Sequence, residues 1–378
     1  SRKTIRREID QAKATPRKAG CRLTAPVNCP STLRSWEWLD RGIALELERL
    51  APSAGTPRAS DPGENLQLPD LLIPATHLLA VELPPDTGAN VSAPNAYAAA
   101  SAQNSAWRGA ALYAVQGNTL VDLGATGSQR AALGVLAQPL AGSAAMLFEP
   151  EATAIVDFIA DDFDLAETDL AGLAAGANRL LVGGELMQFQ RAQPLGGGRW
   201  RIAGLLRGRG GTEPEAAIGH AAQTPVILID DSLIPLDPAL VPSLGNTRVA
   251  AMGTGDPEAV VVPLVNAGLA RRPPCPVHPQ ATLGADQSIL YRWTRRARGQ
   301  WRWDDGVDVP LVEEREAYLV GYGPVEAPHV LWQLNTAQLH LAQSERAELL
   351  AAYGSAQLWV RQVGTFDHSA AVLLAPSL

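Results

Sequence analysis

The chain has 378 residues, which at roughly 100–200 residues per domain is enough for two to four domains. Charged residues are 19% and hydrophobic residues 46%, which excludes a wholly disordered polymer. The net charge of −8 leaves no basic footprint for nucleic acid, and no apolar run reaches the roughly 18–20 residues of a membrane span.

The 34 glycines and 29 prolines point to many turns and short strands. Residues 1–60 carry twelve Lys/Arg against six Asp/Glu, so the opening segment is basic and the remainder acidic. No charged-then-apolar signal segment opens the chain. The start at Ser1 rather than Met is compatible with a fragment of a longer polypeptide or a processed product. Cys21, Cys29 and Cys275 are too few and too odd in number for a disulfide framework. A Cys21–Cys29 bridge stays open, with two reduced thiols favoured.

Residues 1–104 read as a partial leading region with a Pro-rich linker at 51–70. Within it, STLRSWEWLDRGIALELERL fits a short amphipathic helix by the spacing of Leu39, Ile43, Leu47 and Leu50, and its end IALELERL fits a strand by the alternation of Ile43, Leu45 and Leu47. We favour the strand. The Ala/Asn/Ser-rich tract 89–105 reads as a surface loop. Residues 105–142 form a hairpin segment, with Gly117-Asn118 in the turn.

Residues 143–240 read as a β-domain. AMLFEP and TAIVDFI are strands, and Gly183-Gly184 marks a bulge or tight bend. Gly196-Gly197-Gly198 is a turn. Thr212, Pro214 and Glu215 carry a capping-box signature for a short helix. Residues 241–285 are a linker with leading strands. Residues 286–378 hold six or so short strands, expected to form a fibronectin- or immunoglobulin-like sandwich with Trp293 and Trp359 in its core or rim. The expected fold class is therefore mainly β, in several small domains.

The stretch 180–213 is more specific. A strand carries Gly184, Glu185, Gln188 and Phe189, followed by a glycine turn and an aromatic-Arg strand. It closes with Leu205, Leu206, Arg207, Gly208, Gly211, Thr212 and Glu213. This pattern resembles the carboxy-terminal region of baseplate hub ("megatron") proteins of gene transfer agents and related alphaproteobacterial phages, which are related to tip attachment proteins of long-tailed phages. WRGAALYAV, RWTRRARG, DVPLVEEREAYLV and WVRQVGTF extend the resemblance over residues 105–378. The resemblance implies a virion structural protein of the tail tip or baseplate, made in the bacterial cytoplasm. It also implies three copies, joined to other tail proteins and fibres and reaching the host surface. Some relatives carry a glycosidase-like barrel in an amino-terminal region. This chain has no room for one, so no hydrolase activity is carried over.

Asp161, Asp162 and Asp164 read as a solvated loop, with a weak Ca²⁺ site as the minority alternative. Cys275 and His278 have C-x-x-H spacing but lack the further ligands zinc needs. Asp367, His368 and Ser369 read as a turn rather than a triad. No catalytic residue, metal site or cofactor is expected. Trp301 and Trp303 share one face of QWRW, as core or rim of a sandwich or as a glycan- or partner-binding platform. Arg295 and Arg296 belong to an Arg cluster placed either to pair with Glu313, Glu314 and Glu316, within or between chains, or to lie solvated. Arg207 and Arg209 sit on the Gly-rich loop, with guanidinium forks suited to carboxylates or carbonyls. The competing functional readings are a carbohydrate-binding adhesion module using the tryptophans and, more remotely, a cell-wall hydrolase.

Overall fold

In the computed structural model, the residues described are 22–24, 30–39, 42–49, 72–84, 95–145, 147–241, 245–266, 268–298 and 310–378. Two compact units divide the chain, Ser1–Asp70 and Leu71–Leu378. The 51–70 linker, Cys21, Cys29, Trp301 and Trp303 lie outside the described residues.

The first unit contains an antiparallel sheet of β1 (Arg22–Thr24), β2 (Pro30–Leu39) and β3 (Gly42–Arg49). Its register places Trp36 opposite Leu45 and Trp38 opposite Ile43. The alternation in IALELERL therefore prevails over its helical spacing.

The second unit opens with β4 (His77–Glu82), β5 (Ala96–Ser101), β6 (Ala110–Gln116) and β7 (Thr119–Ala125). The β6–β7 hairpin turns at Gly117-Asn118, as expected. The Ala-rich tract, expected as a surface loop, instead contains β5, which is buried on both faces. Alanine has no bulk to betray a core strand, yet it lets flanking layers approach closely. Ala98 and Ala100 face one cluster with Trp107, Leu112 and Leu264. Ala99 faces another with Leu133, Leu181 and Ile227.

The chain then builds β8 (Leu133–Leu136), β9 (Glu149–Phe158), α1 (Leu170–Ala174), β10 (Arg179–Val182), β11 (Glu185–Gly196), β12 (Arg199–Arg209), α2 (Glu213–Ile218) and β13 (Pro225–Leu228). The six strands close a barrel in the order β10-β11-β12-β9-β8-β13. It is filled by Leu136, Val156, Leu180, Met187, Phe189 and Ile202. Each such side chain contributes about 1.5–3 kcal/mol through burial. In AMLFEP the strand β9 begins at Glu149. The barrel begins at Leu133, within the segment read as a hairpin.

After the barrel, β14 (Ile234–Pro235) joins the sheet β14-β5-β4. Then β15 (Gly245–Gly253) and β16 (Val260–Asn266) complete the sheet β16-β15-β6-β7. The barrel is thus inserted between β7 and β14 of a two-sheet body. In the AMGTGD turn, the Asp256 carboxylate accepts the amides of Thr76 and Gly253, both at 2.6 Å, and the Trp107 indole donates to the Thr76 hydroxyl at 3.0 Å. Burial pushes the Asp256 carboxyl up, but these hydrogen bonds outweigh it and hold the group below its ordinary value.

A 3₁₀ turn at Leu269–Arg271 leads to β17 (Val277–Leu283) and β18 (Ile289–Thr294). There follow β19 (Tyr318–Tyr322), β20 (Val330–Leu334), β21 (Gln338–Leu341), α3 (Gln343–Tyr353), β22 (Leu358–Gln362) and β23 (Val372–Ala375). Sheets β17-β18-β21 and β20-β19-β22-β23 face each other around Tyr291, Trp293, Tyr318, Val320 and Leu358. This is a two-sheet antiparallel sandwich. Its first described strand, β17, lies within the segment read as linker. Trp293 meets Tyr318 edge-on at 5.3 Å in the core. Trp359 is buried across Gly321, its indole donating to the Gly323 carbonyl at 3.0 Å.

Candidate functional site

The residues of the 180–213 pattern converge on one buried carboxylate. β10 and β11 are joined by the two-residue turn Gly183-Gly184, where Gly183 has φ +58°. The turn aims Glu185 inward, where it is fully buried. On the neighbouring strand the register shifts between Leu186 and Gln188, so β12 carries an extra residue at Arg207–Gly208. Gly208 has φ +60°, and a Cβ there would lie 2.5 Å from the Ala145 Cβ and 3.0 Å from the Glu213 Cα. No larger residue fits.

This bulge directs Arg207 and the Gly208 amide at Glu185. Arg207 grips the carboxylate with Nε at 2.6 Å and Nη2 at 2.8 Å. Gly208 N–H donates at 2.9 Å, and His220 Nε2 lies 2.7 Å from the second oxygen. The remaining Arg207 Nη1 donates to the Ala141 carbonyl at 3.1 Å. His220 and Leu140 form a backbone bridge, so the cluster ties four stretches of chain together. Burial pushes the Glu185 carboxyl up, but the hydrogen bonds from His220, Arg207 and Gly208, with the Arg207 charge, bring it below its ordinary value.

A carboxylate whose oxygens accept four contacts has no free face for a substrate proton. The geometry suits an internal tie, strong because bidentate and charge-assisted. Arg207, read as a candidate contact residue, is buried and spent on Glu185 and Ala141, so its fork cannot meet a partner. Thr212 does not cap α2 with its side chain as the capping-box spacing predicts. Its hydroxyl instead accepts the Leu186 amide at 3.0 Å and donates to the Arg209 carbonyl at 2.7 Å, stitching the hairpin end. Phe189 is barrel core. Gly211, at φ +91°, continues the turn into α2.

Arg209 ends β12 exposed, with the Arg296 and Glu213 charges near it. Arg296 donates to Glu213 at 2.5 Å, which links the sandwich to α2. Arg295 Nη1 donates to the Pro310 carbonyl at 2.9 Å. The Arg cluster also yields a second buried pair. Arg298 holds Glu313 at 2.6 and 3.2 Å, and Glu313 accepts the Thr365 amide at 2.7 Å. The Arg298–Glu313 pair is one the sequence offers between the Arg cluster and Glu313, Glu314 and Glu316, whereas His220 and Asp256 carry no sequence signal as organisers of buried polar clusters. Their partners are distant in the chain, and nothing local announces them.

Between α2 and the 269–275 turn lies a cleft of about 70 Å³ lined by Gly211, Thr212, Glu215, Arg272 and Cys275. It is far below the roughly 300–1,000 Å³ of small-molecule sites. Burial pushes the Cys275 thiol up to about 11 from an ordinary 9.0. At pH 8 the native protein is therefore expected to react with iodoacetamide at Cys275 on the order of a hundredfold more slowly than an ordinary thiol. Site-resolved mass spectrometry, with and without denaturant, measures this; equal rates would refute it. Among the described residues no group of three or more His, Cys, Asp or Glu is placed to hold a metal, including around Asp161, Asp162 and Asp164.

Comparison with curated proteins gives no match. Residues 131–227 match the family described as Rcc01698-like, C-terminal. The matched span runs from just before β8 to within β13, so it coincides with the barrel. The barrel of this chain is therefore similar, over that span, to the Rcc01698-like C-terminal family, and the Glu185 cluster lies inside the matched residues.

Proposed function

We propose that this chain is a structural component of a phage or gene-transfer-agent tail tip or baseplate, which mediates hub assembly and fibre or host-surface attachment. The observation that carries this reading is the coincidence of the Rcc01698-like match with the barrel whose tie residues bear the hub-protein resemblance. Those residues form internal ties, as a scaffold requires.

A second observation supports assembly. On the sheet β16-β15-β6-β7, Leu120, Met252, Val261 and Val265 are exposed, Val265 at 67%. Alternate residues of β16 are thus apolar on the outer face as well as the inner one. Apolar side chains on an outer strand face are the kind of surface that a second copy covers. In this reading three copies join around the tail axis, by interfaces above about 1,000 Å².

The test is analytical ultracentrifugation of the full chain together with immunogold electron microscopy of particles from a producing strain. A trimer and label at the tail tip are expected. A stable monomer with no label on particles would overturn the reading.

A further inference from the structure

The lateral opening of the sandwich combines an unprotected strand edge with a groove. β20 ends the sheet β20-β19-β22-β23 and has no strand on its far side among the described residues. Exposed edges usually carry a charge, a proline or a bulge that discourages pairing. The β20 sequence Val330-Leu331-Trp332-Gln333-Leu334 carries no charge and no proline, and its register against β19 is unbroken. By contrast β17, at the edge of the facing sheet, has both Pro279 and a register shift.

Beside this edge lies a groove of about 350 Å³. Its walls are Val330 and Trp332 of β20 and Leu349 and Tyr353 of α3. Val330 and Trp332 are two residues apart and share the inward face of the strand. A strand laid along β20 would therefore send its own alternate side chains into the same groove. The charged side chains lining it are Glu345 and Glu348. Glu345 is engaged by the Ala342 amide at 2.8 Å, whereas Glu348 is exposed.

We infer that β20 and this groove form a docking site for an extended segment of a partner protein. The segment pairs with β20 through its backbone and places an apolar or aromatic side chain against Trp332 and Tyr353. Two residues along, on the same face, it carries Lys or Arg toward Glu348. Main-chain pairing supplies affinity and the groove supplies selectivity, the division of labour in strand-addition complexes. The unpaired β20 edge favours a peptide strand, and the acidic rim favours a cationic one. The inference stands on the sandwich alone and does not require the tail-tip reading.

The experiment uses the full chain and two synthetic nonapeptides with Leu and Trp on the inward face, one with Lys and one with Glu at the next inward position. Fluorescence anisotropy is expected to show the Lys peptide binding at least tenfold tighter than the Glu peptide. Glu348→Lys is expected to weaken the Lys peptide at least tenfold. Ala352→Trp, which fills the groove from an exposed helix position, is expected to abolish binding while the circular dichroism stays unchanged. Hydrogen exchange of the 330–334 amides is expected to slow on binding, which packing in the groove alone would not cause. Absence of binding by both peptides overturns the inference. So does equal affinity for the two, or binding without slowed exchange in β20. If Ala352→Trp fails to fold, the Glu348→Lys and exchange arms still decide. Soluble oligosaccharides that fill the groove with no exchange protection would reassign it to glycan and overturn the strand model.

Discussion

Glu185→Ala is expected to destabilise the barrel by about 3–5 kcal/mol, because it leaves the Arg207 guanidinium buried without its countercharge. The Gly208 amide and His220 would lose their acceptor in the same step. Denaturant unfolding of the full chain, with proteolysis to locate the loosened segment, measures the effect. Glu185→Leu combined with Arg207→Met should recover most of it, because an apolar pair removes both buried charges at once. Equal destabilisation in the single and double variants would show that the ion pair is not the source. The pH dependence has a fixed sign. The folded-state pKa of Glu185 lies below its ordinary 4.5, so the unfolded chain binds the proton more readily. The contribution of Glu185 is therefore complete above about pH 4.5–5 and is lost as pH falls through the folded-state value. Asp256 and Glu313, also lowered, act in the same direction. Glu185→Gln should flatten this part of the acid-unfolding curve.

Gly321→Ala is expected to cost the sandwich about 1–3 kcal/mol or more through overpacking. Gly321 lies opposite Trp359, and a Cβ there would overlap the indole Cζ2 and Cε2 and reach within 2.6 Å of Cη2. The ring must move, losing its burial and its hydrogen bond to Gly323. Unfolding followed by tryptophan fluorescence reads both stability and the altered environment. Trp359→Leu in the same background should relieve part of the cost, giving less destabilisation than the two single changes added together. Additive effects would show that the ring and the glycine do not compete for space.

Several elements were legible because their signals are local. Gly117-Asn118 and Gly196-Gly197-Gly198 mark hairpin turns, and Pro214 opens α2. The short sandwich strands follow from aromatic and β-branched runs. The Glu185–Arg207 pattern was visible as residues, but its meaning was not. Pairing across a bulge twenty-two residues away depends on register, and register is a property of two strands together. Thr212 shows the same limit, since its spacing to Glu215 fits a cap while the hairpin end claims the hydroxyl. β5 was missed because alanine gives little hydrophobic contrast, although two layers enclose it. β21 escapes a sequence reading although Gln338-Leu339-His340-Leu341 alternates, because four residues are too short a run to stand out, and β17, almost wholly exposed, offers no apolar face to read.

Placing the barrel between β7 and β14 has a consequence for how the molecule is made. Ribosomal synthesis delivers β4–β7 first, and their partners β14–β16 emerge only after the whole inserted segment. Until then the early strands wait with open edges. Ala131 and Leu233, near the two ends of the insertion, belong to one cluster with Leu83 and Ala99. A barrel that has already folded thus brings its exit beside its entrance and shortens the effective loop that the host sheets must close. Long-range pairing becomes nearly local, which shortens the sequence separation that the host strands must bridge. The insert then serves as a splint for the body that surrounds it.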